Sequence, residues 1–325
     1  GATGFDWRDA VLYFVFVDRF LNGNTGNDMP SMVGGVDPSA NWQGGDWAGV
    51  TQKIKDGYFN QLGVNALWLT VPMDNTDGIG AGDDGRNYTA YHGYWPRDLA
   101  KTERRFGASA ELKTLVDEAH KAGLKVLIDY AMNHVHKDSP VYIAHKTDGW
   151  FNPLDLGGGK QCICGSADCG WDDPVRGKQC WFRDYLPDFN FNTTAARDFS
   201  VANAVQWMTD YGLDGLRLDA VKHIEMSWLT DLRARLTKDV ESKTKQHVYL
   251  VGETYTGNRD AIKPFIDPCT KLDGQFDFPL RAELNSKVLL RQGKMQDLAG
   301  FMDSNDRYYG SGLMSTFIGN HDVPR

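Results

Sequence analysis

Long apolar runs and clusters of basic residues are both absent from this chain of 325 residues. No apolar stretch approaches the ~20 residues that a membrane-spanning helix needs, so we expect no membrane as a partner. The formal net charge is −8, and no basic cluster is long enough to follow a phosphate backbone, which argues against nucleic acid. The first residue is Gly1 rather than methionine, and no basic and apolar leader follows, as expected of a processed or trimmed chain. We expect a monomer that acts on a neutral polymer.

The five cysteines are unevenly distributed. Four of them fall within one loop, at Cys162, Cys164, Cys169 and Cys180, and Cys269 stands alone later in the chain. Disulfides in an exported protein are the favoured interpretation, although four cysteines allow three pairings and the spacing does not choose among them. The alternative is a zinc knuckle, but the loop lacks paired C-x-x-C units and a nearby histidine. We therefore predict disulfides, an unpaired Cys269 and a secreted protein, extracellular or periplasmic.

Strand-length apolar runs and amphipathic helical patterns alternate regularly along the chain. Helical patterns end at Gly63, Gly123 and Gly212, and each is followed by a strand-like run. The predicted strands cover residues 11–17, 64–71, 126–130, 213–219, 248–251 and 316–320, and the predicted helices cover residues 54–61, 111–122 and 201–211. This succession predicts a parallel sheet with right-handed crossovers, either a closed (β/α)8 TIM barrel or a doubly wound open sheet.

Four acidic residues follow or close strand-like runs: Asp129, Asp219, Glu253 and Asp322. All four would emerge at the C-terminal ends of parallel strands, where a barrel keeps its chemistry. A doubly wound sheet would scatter them along an open edge, whereas a barrel brings them into one cup, so the acids favour the barrel. Each acid alone could be a helix cap or half of a structural ion pair, and only the set indicates an active site.

A pair of carboxyl groups suits the cleavage of an acetal bond, because one must stay ionised and the other must keep its proton near neutral pH. Arg217 lies two positions before Asp219, so both side chains point to the same face of one strand and the guanidinium can keep the carboxylate charged. Glu253 ends an apolar run without a charged neighbour close in sequence. We therefore predict Asp219 as the nucleophile and Glu253 as the general acid and base.

The segments that carry these acids, and their order, resemble the conserved regions of the alpha-amylase family of glycoside hydrolases. The likeness is greatest to secreted bacterial alpha-amylases and cyclodextrin glucanotransferases, and it extends to residues 91–95 and 186–190. The resemblance implies the same roles for Asp219 and Glu253, and it implies that Asp322 grips sugar hydroxyls in the transition state. It also implies a set of substrate-binding residues: Tyr91, His92, Tyr94, Trp95, His134, Arg217, Lys222, His223, Tyr255 and His321.

The resemblance also divides the chain. Residues 1–131 would form the first part of the catalytic barrel, and residues 132–190 would form an inserted domain B after the third strand, lining one wall of the cleft. Residues 191–325 would form the second part of the barrel, with residues 316–320 as its seventh strand. The eighth βα unit and the β-sandwich that usually follows the barrel in this family would then be missing, as in a piece of a longer polypeptide.

Calcium is the cofactor that the resemblance implies, because oxygen ligands gathered from loops suit this cation. One site would use Asn133, Asp188 and the backbone carbonyl of His223. A second site, as in cyclodextrin glucanotransferases, would use Asn22, Asn24, Asn27, Asp28, Gly44 and Asp46. The asparagine- and glycine-rich run could instead be a simple turn cluster, but its pairing with the segment around Asp46 favours calcium.

With the paired acids, the resemblance implies an endo-acting, retaining hydrolase of α-1,4-glucans such as starch, glycogen and maltooligosaccharides, working through a covalent glycosyl-aspartate intermediate. A transglycosylase is one alternative, because it resolves the same intermediate with a sugar hydroxyl. Against it, the central aromatic residue of cyclodextrin glucanotransferases, four residues before Asp188, is replaced by Asp184, with Tyr185 adjacent. A non-catalytic carbohydrate-binding homologue is the other alternative, but such a protein would lose the nucleophile or the acid, and this chain keeps both.

Overall fold

A sheet of six parallel strands forms the centre of the computed structural model, which describes residues 5–82 and 84–323. The strands of the chain are β1 (Leu12–Val15), β2 (Ala66–Leu69), β3 (Met73–Asn75), β4 (Gly80–Ala81), β5 (Asn87–Tyr88), β6 (Pro96–Thr102), β7 (Lys125–Tyr130), β8 (Asp155–Gly157), β9 (Lys160–Gln161), β10 (Gly215–Leu218), β11 (Tyr249–Gly252) and β12 (Gly274–Gln275). The central order is β1-β2-β7-β10-β11-β12, with every pair parallel. Three short antiparallel pairs, β3 with β6, β4 with β5 and β8 with β9, lie outside this sheet.

Helices occupy the connections between the central strands. They are α1 (Trp47–Lys55), α2 (Tyr58–Gln61), α3 (Ser109–Lys121), α4 (Pro140–His145), α5 (Thr194–Tyr211), α6 (Met226–Leu236), α7 (Ser242–Thr244), α8 (Arg259–Ile262), α9 (Phe278–Leu284) and α10 (Met295–Tyr308). Short 3-10 turns lie at Trp7–Asp9, Val17–Arg19, Thr25–Asn27, Pro38–Ala40, Arg176–Lys178, Val221–His223 and Lys263–Phe265, and π-helical turns lie at Thr237–Glu241 and Asn285–Leu289. Among the described residues, no helix is long and apolar enough to cross a bilayer.

The spacing of apolar residues explains the alternation of helix and strand. In α3 the residues Leu112, Leu115, Val116 and Ala119 are buried, and their intervals of three and four residues put them on one face. The chain leaves this helix through Gly123, whose φ of 77° favours glycine, and then enters β7. The sequence pattern of helix, glycine and strand is confirmed.

Aromatic contacts across the sheet show that it curls. Trp7, just before β1, stacks on Tyr249 of β11 with ring centroids 4.2 Å apart. These strands are four places apart in the sheet order, so a flat sheet would hold them roughly 19 Å apart. Trp68 of β2 likewise lies 5.2 Å from Phe276, just beyond β12. A curled parallel sheet whose interior is filled by such side chains is consistent with the predicted TIM barrel.

Two predicted elements differ from the structure, and one strand of the central sheet was not predicted. The helix predicted over residues 54–61 is two helices, because Gly57 with a φ of 73° separates them. The strand predicted over residues 316–320 is wrong, since this described segment forms no strand and Ile318 is 60% exposed. Instead, Leu313 and Ser315 donate backbone hydrogen bonds to the chain around β12. The strand β12 itself was not predicted, because Gly274–Gln275 offers no apolar run.

The segment between β7 and α5 is largely irregular and carries two disulfides. Cys162 is bonded to Cys169, and Cys164 is bonded to Cys180. Cys269 is unpaired and exposed. The predicted disulfides and the free cysteine are confirmed, and the zinc alternative is excluded because the disulfides use the four thiols that a zinc knuckle would need.

Candidate active site

Three of the four acidic residues predicted from the sequence lie at the carboxyl ends of central strands, and the prediction is wrong for Asp322, which follows a described segment that forms no strand. Asp129 is the next-to-last residue of β7, and Arg217 lies directly opposite it in the register of β10. Asp219 follows β10, and Glu253 follows β11. Because neighbouring parallel strands end at the same rim, their register brings these side chains together.

The guanidinium of Arg217 joins three carboxyl groups. Its Nη1 atom donates to Asp219 Oδ1 at 2.6 Å and to Asp129 Oδ1 at 2.8 Å. Its Nη2 atom lies 3.9 Å from Glu253 Oε2. Arg217 is buried and lies over the Trp68 ring, with its guanidinium carbon 5.0 Å from the ring centroid. One buried cation therefore holds the carboxyl groups of Asp219 and Asp129 and lies next to that of Glu253.

Glu253 has the environment of a proton donor. Burial raises the pKa of its carboxyl group to about 7, with the Arg217 cation opposing the rise and the Asp219 and Asp322 carboxylates adding to it. The backbone N–H of Ala220 donates to Glu253 Oε2 at 3.0 Å. Ala220 has a φ of 47°, which is uncommon for a residue with a side chain, and this turn aims the N–H at the carboxylate. Glu253 thus carries a proton in slightly acidic solution.

A second group of side chains connects Asp129 to the last described segment. The Tyr94 hydroxyl donates to Asp129 Oδ2 at 2.7 Å and lies 2.9 Å from His321 Nε2. The same His321 atom lies 3.3 Å from Asp322 Oδ2. Burial lowers the pKa of His321 to about 4 and raises the pKa of Asp322 to about 6. A neutral imidazole and a hydroxyl beside it can hydrogen-bond an uncharged ligand.

An open cleft of about 1030 Å³ lies over these groups. Asp219 and Asp322 line it, together with four of the predicted binding residues, Tyr94, Trp95, His134 and His321. Its other walls come from the β4–β5 hairpin and from the segment between β7 and α5, through Ala81, Gly82, Asp84, Tyr88, Ile163, Cys164, Gly165, Trp171, Phe182, Arg183, Tyr185 and Leu186. A cleft of this size, lined by aromatic and polar side chains, suits an oligosaccharide.

Two predicted binding residues, Tyr91 and His92, do not line the cleft but support the neighbouring segment that does. The Tyr91 ring lies 3.8 Å from the guanidinium carbon of Arg19. His92 contacts the rings of Tyr94 and Trp95, and its Nδ1 atom accepts a hydrogen bond from the Tyr94 backbone N–H at 3.0 Å. Burial lowers the pKa of His92 to about 3, so this imidazole is neutral. Both residues hold the segment that presents Tyr94 and Trp95 to the cleft.

The remaining predicted binding residues lie at the turns after β10 and β11. Lys222 Nζ donates to Asp172 Oδ1 at 2.8 Å. His223 is buried, with Nδ1 2.6 Å from the Gly177 carbonyl oxygen. Tyr255 is exposed. Arg217, described above, lies beneath the cleft rather than on its surface.

Four aromatic residues of the cleft, Tyr88, Trp171, Phe182 and Tyr185, do not follow from the sequence patterns. Trp171, Phe182 and Tyr185 lie in irregular segments and Tyr88 ends the two-residue strand β5, so hydrophobic periodicity carries no information about any of them. The available signal is their position in loops that flank the acidic motifs, because binding residues concentrate in such loops.

The first predicted calcium site contains oxygen atoms that suit a cation. Asn133 is buried, and its Oδ1 atom has no hydrogen-bond partner within the described residues. Asp188 is also buried, accepts a hydrogen bond from Asn152 Nδ2 at 2.8 Å, and has a pKa raised well above its usual value by burial. The third predicted ligand is the backbone carbonyl of His223. The imidazole of this residue contacts the Gly177 carbonyl oxygen, in the segment between β7 and α5 that also carries Asp188. An unpartnered amide oxygen near a buried carboxylate fits calcium.

At the second predicted calcium site, four of the six predicted residues are arranged in a way that suits a cation. The Oδ1 atoms of Asn22 and Asn27 are buried and have no hydrogen-bond partner in the described part of the chain. Asn22 Nδ2 donates to both carboxylate oxygens of Asp28, at 2.9 and 2.8 Å. Gly44 leaves room beside them, because a Cβ atom there would lie 2.5 Å from both Asn22 Nδ2 and Asp28 Oδ1. These four residues form a cradle of oxygen donors.

Two other predicted ligands of this second site already accept backbone hydrogen bonds. Asn24 Oδ1 accepts from the Gly26 N–H at 3.0 Å. Asp46 caps the N-terminus of helix α1 and accepts hydrogen bonds from the N–H groups of Gly49 at 2.6 Å and Gly23 at 3.0 Å. Both side chains fix the shape of the loop, and a carboxylate or amide oxygen can do so while also binding a cation.

The fold and the cleft define a barrel-type β/α domain with an acidic cluster at the carboxyl ends of its parallel strands. The family model described as alpha amylase, catalytic domain, matches residues 14–325. The chain belongs to the alpha-amylase family.

Individual relatives within this family differ in the activity that their names give. An alpha-amylase from Niallia circulans is 31% identical over 328 residues, which cover 97% of this chain and 60% of that protein. A cyclomaltodextrin glucanotransferase from Paenibacillus macerans is 30% identical over 324 residues, which cover 97% of this chain and 44% of that protein. The solved structure of an Anoxybacillus alpha-amylase matches with a TM-score of 0.79 at 29% identity, covering 99% of this chain and 64% of the other. The chain spans about half the length of the curated relatives it matches.

Proposed function

We propose that this chain carries the active site of an endo-acting, retaining glycoside hydrolase that cleaves α-1,4-glucosidic bonds in starch, glycogen and maltooligosaccharides. The observation that supports this function most is the pair of acids held by one buried guanidinium. Asp219 contacts Arg217 at 2.6 Å, and Glu253, 3.9 Å from the same group, has a pKa raised to about 7. Two carboxyl groups in unlike environments on one site are what a retaining glycosidase requires.

In the proposed mechanism Asp219 attacks the anomeric carbon while Glu253 gives its proton to the leaving glycosidic oxygen. The bond between that carbon and the leaving oxygen breaks, and a glycosyl ester on Asp219 remains. Glu253, now ionised, takes a proton from water as the water oxygen attacks the same carbon and releases Asp219. Two inversions at one carbon retain its configuration. Asp322 hydrogen-bonds hydroxyl groups of the distorted sugar ring.

A neutral glucan is the substrate that suits the cleft. Tyr94, His134 and His321 offer hydrogen-bonding groups with no net charge, since burial lowers the pKa values of both imidazoles. Trp95 and Tyr185 add aromatic surface, with their rings 5.3 Å apart in an edge-to-face contact. The cleft is open, so a polymer can pass along it, which supports cleavage within the chain rather than only at its end.

We propose that residues 132–190 form an inserted domain B and that residues 1–131 and 191–325 form the two parts of the catalytic barrel, with residues 1–4 and 324–325 outside the described residues. An antiparallel bridge of His134 with Asp188 joins the two ends of the inserted segment, and a bridge of Phe151 with Phe189 ties an internal residue to the same end. The two disulfides support an extracellular or periplasmic protein.

Calcium is the proposed cofactor. At the first site Asn133, Asp188 and the His223 carbonyl would hold it, and at the second site Asn22, Asn27, Asp28 and the residues around them would do so. At the first site the cation would neutralise the buried Asp188 and tie the inserted segment to the turn after β10.

Water or a sugar hydroxyl can release the glycosyl ester from Asp219. We propose hydrolysis as the main activity and keep transglycosylation as the second candidate function. Asp184 is exposed and does not line the cleft, which leaves no aromatic ring at the position that is central in cyclodextrin glucanotransferases. Tyr185 does line the cleft, and this observation favours the second candidate.

Incubation with soluble starch, followed by chromatography of the products, tests the proposal. We expect linear maltooligosaccharides with new reducing ends. Cyclic products would favour the transglycosylase instead. Binding of starch without any product would support the non-catalytic homologue.

A further inference from the structure

Glu225 immediately precedes helix α6 and lies two residues after His223, whose backbone carbonyl is a proposed ligand of the first calcium site. It occupies the N-cap position, yet its side chain makes no capping hydrogen bond to the helix. The residue is only 9% exposed, and its Oε2 atom has no hydrogen-bond partner within the described residues. A buried carboxylate oxygen without a partner is unfavourable, so its presence requires an explanation.

The contacts of Glu225 place it beside the first calcium site. Its Oε1 atom accepts a hydrogen bond from Asn192 Nδ2 at 2.9 Å, and Asn192 lies four residues after Asp188 in the chain. Burial raises the pKa of the Asp188 carboxyl group, and the nearby charge of Glu225 raises it further. Hydrogen bonds from the Asn152 and Asn133 amides oppose this rise. Two carboxylates and the unpartnered Asn133 Oδ1 atom therefore share one buried neighbourhood.

The protein supplies little positive charge to this neighbourhood. No cation of the described part of the chain is among the groups that act on Asp188. Lys178 and Arg197 act on Glu225 through their charge alone. Arg197 is engaged elsewhere, because its Nε atom donates to Asp231 Oδ2 at 2.6 Å. The two carboxylates thus leave a local surplus of negative charge, which a divalent cation would neutralise.

We infer that Glu225 supplies a second negative charge to the first calcium site and so sets the affinity of that site. The inference rests on the proposed calcium cofactor, and it adds to Asn133, Asp188 and the His223 carbonyl an acid that was not predicted from the sequence. Calcium prefers oxygen ligands, and the number of carboxylates around it tunes its Kd. One carboxylate would neutralise half of the charge of the cation, and two carboxylates neutralise all of it.

A purely structural role for Glu225 is the alternative. Acidic residues are favoured at helix N-termini, where they interact with the helix dipole. Such a residue normally accepts hydrogen bonds from the N–H groups of the first turn, and the Glu225 side chain accepts none of them. The two roles also differ in a measurable way, because support for the start of α6 does not depend on calcium.

Calcium titration against a competing fluorescent chelator tests the role of the charge. The parent protein is Asp28→Asn, in which the second calcium site is weakened, so that the titration reports the first. Adding Glu225→Gln should weaken the Kd for calcium about ten- to a hundredfold. The matched control is Asp198→Asn, which removes one charge from an exposed position of α5 and should keep the Kd within about twofold of the parent. Equal Kd values for Glu225→Gln and Asp198→Asn would overturn the inference.

Terbium separates the charge of Glu225 from its packing. A trivalent cation gains more from a second carboxylate than a divalent cation does, because the attraction is proportional to the product of the charges. Glu225→Gln should therefore weaken the binding of terbium, followed by its luminescence, by a larger factor than the binding of calcium. Equal factors for the two cations would mean that the substitution only disturbs the packing, and would contradict the inference.

Thermal unfolding with and without calcium distinguishes the two roles directly. In a chelator, Glu225→Gln should melt at the same temperature as the parent or higher, because it removes one of two like charges from a buried neighbourhood. In excess calcium, the variant should melt at a lower temperature than the parent, because it binds the cation less tightly. A melting temperature that is lowered equally in both conditions would show that Glu225 only supports the start of α6.

Asn133→Ala separates this inference from the proposals on which it rests. This variant should lose calcium at the first site. If Asn133→Ala loses calcium while Glu225→Gln binds it as tightly as the parent, the role of Glu225 fails and the cofactor remains. If the parent itself binds no calcium, both fail. None of these measurements uses starch, so their results do not depend on whether the protein hydrolyses glucans.

Discussion

Arg217 Nη1 lies 2.6 Å from Asp219 Oδ1, and the two residues are separated by a single leucine at the end of β10. The strand period of two puts both side chains on the inner face of the sheet. The same guanidinium reaches Asp129 on β7 and Glu253 after β11. The geometry of the candidate site is therefore set by the register of neighbouring parallel strands.

Asp219→Asn should abolish turnover and spare binding. The amide is nearly isosteric with the carboxylate but cannot attack the anomeric carbon, so we expect kcat on soluble starch to fall about 10⁴-fold or more. Starch affinity should change little, because the cleft walls are untouched. Reducing-sugar release and a starch sedimentation assay measure the two quantities.

The matched control for this substitution is Asp184→Asn. Asp184 is an exposed acid of the inserted segment that does not line the cleft, so this variant should keep wild-type turnover. Sugar release by a pure preparation of Asp219→Asn at the wild-type rate would remove Asp219 from the nucleophile role.

Residues within or directly after apolar strands could be predicted from the sequence pattern, and the aromatic residues of the irregular loops could not. The spacing of Arg217 and Asp219 fixes a shared face whatever the rest of the fold does. The choice among three disulfide pairings depends on how an irregular loop folds, which the sequence pattern does not describe. The strand β12 escaped prediction because backbone pairing, not an apolar run, defines it.

The raised pKa of Glu253 predicts the alkaline limb of the activity profile. Glu253 must be protonated to act on the leaving oxygen, and its pKa is about 7. We expect kcat/KM to be high below that pH and to fall tenfold per pH unit well above it. In Glu253→Gln the residual activity should lose this limb. A profile of kcat/KM that stays flat up to pH 9 would contradict the role.

The same pKa makes a prediction about stability. The folded pKa of Glu253 lies above the usual value near 4.5, so its stabilising contribution is full below about pH 4.5 and is lost as the pH rises through about 7. Glu253→Gln removes this dependence. We expect the difference in melting temperature, variant minus wild type, to be larger at pH 8 than at pH 5. Differential scanning calorimetry at the two pH values measures this difference.

Calcium should stabilise the fold through the first site. A ligand that binds only the folded state adds about 2.7 kcal/mol to the free energy of unfolding at 100 times its Kd. We therefore expect a chelator to lower the melting temperature of the wild type and excess calcium to restore it. Asn133→Ala should abolish most of this response, because it removes an amide oxygen that has no other partner within the described residues.

The second calcium site provides the comparison for this experiment. Asp28→Asn keeps the size of the side chain and removes its charge, so it should weaken only the part of the calcium response that belongs to the loop near Gly44. An unchanged response in both variants would mean that neither cradle binds the cation.

Tyr185, rather than Asp184, should control how the middle of a glucan chain is held. The Tyr185 ring lines the cleft and meets Trp95 edge to face at 5.3 Å, whereas the Asp184 side chain is exposed outside it. Tyr185→Ala should raise KM for soluble starch about three- to tenfold, because it removes one aromatic face. Asp184→Tyr should leave KM and the linear product pattern unchanged, because its new ring would point away from the substrate. Cyclic products from Asp184→Tyr would show that this position does reach the glucan and that one aromatic residue separates hydrolysis from transfer in this fold.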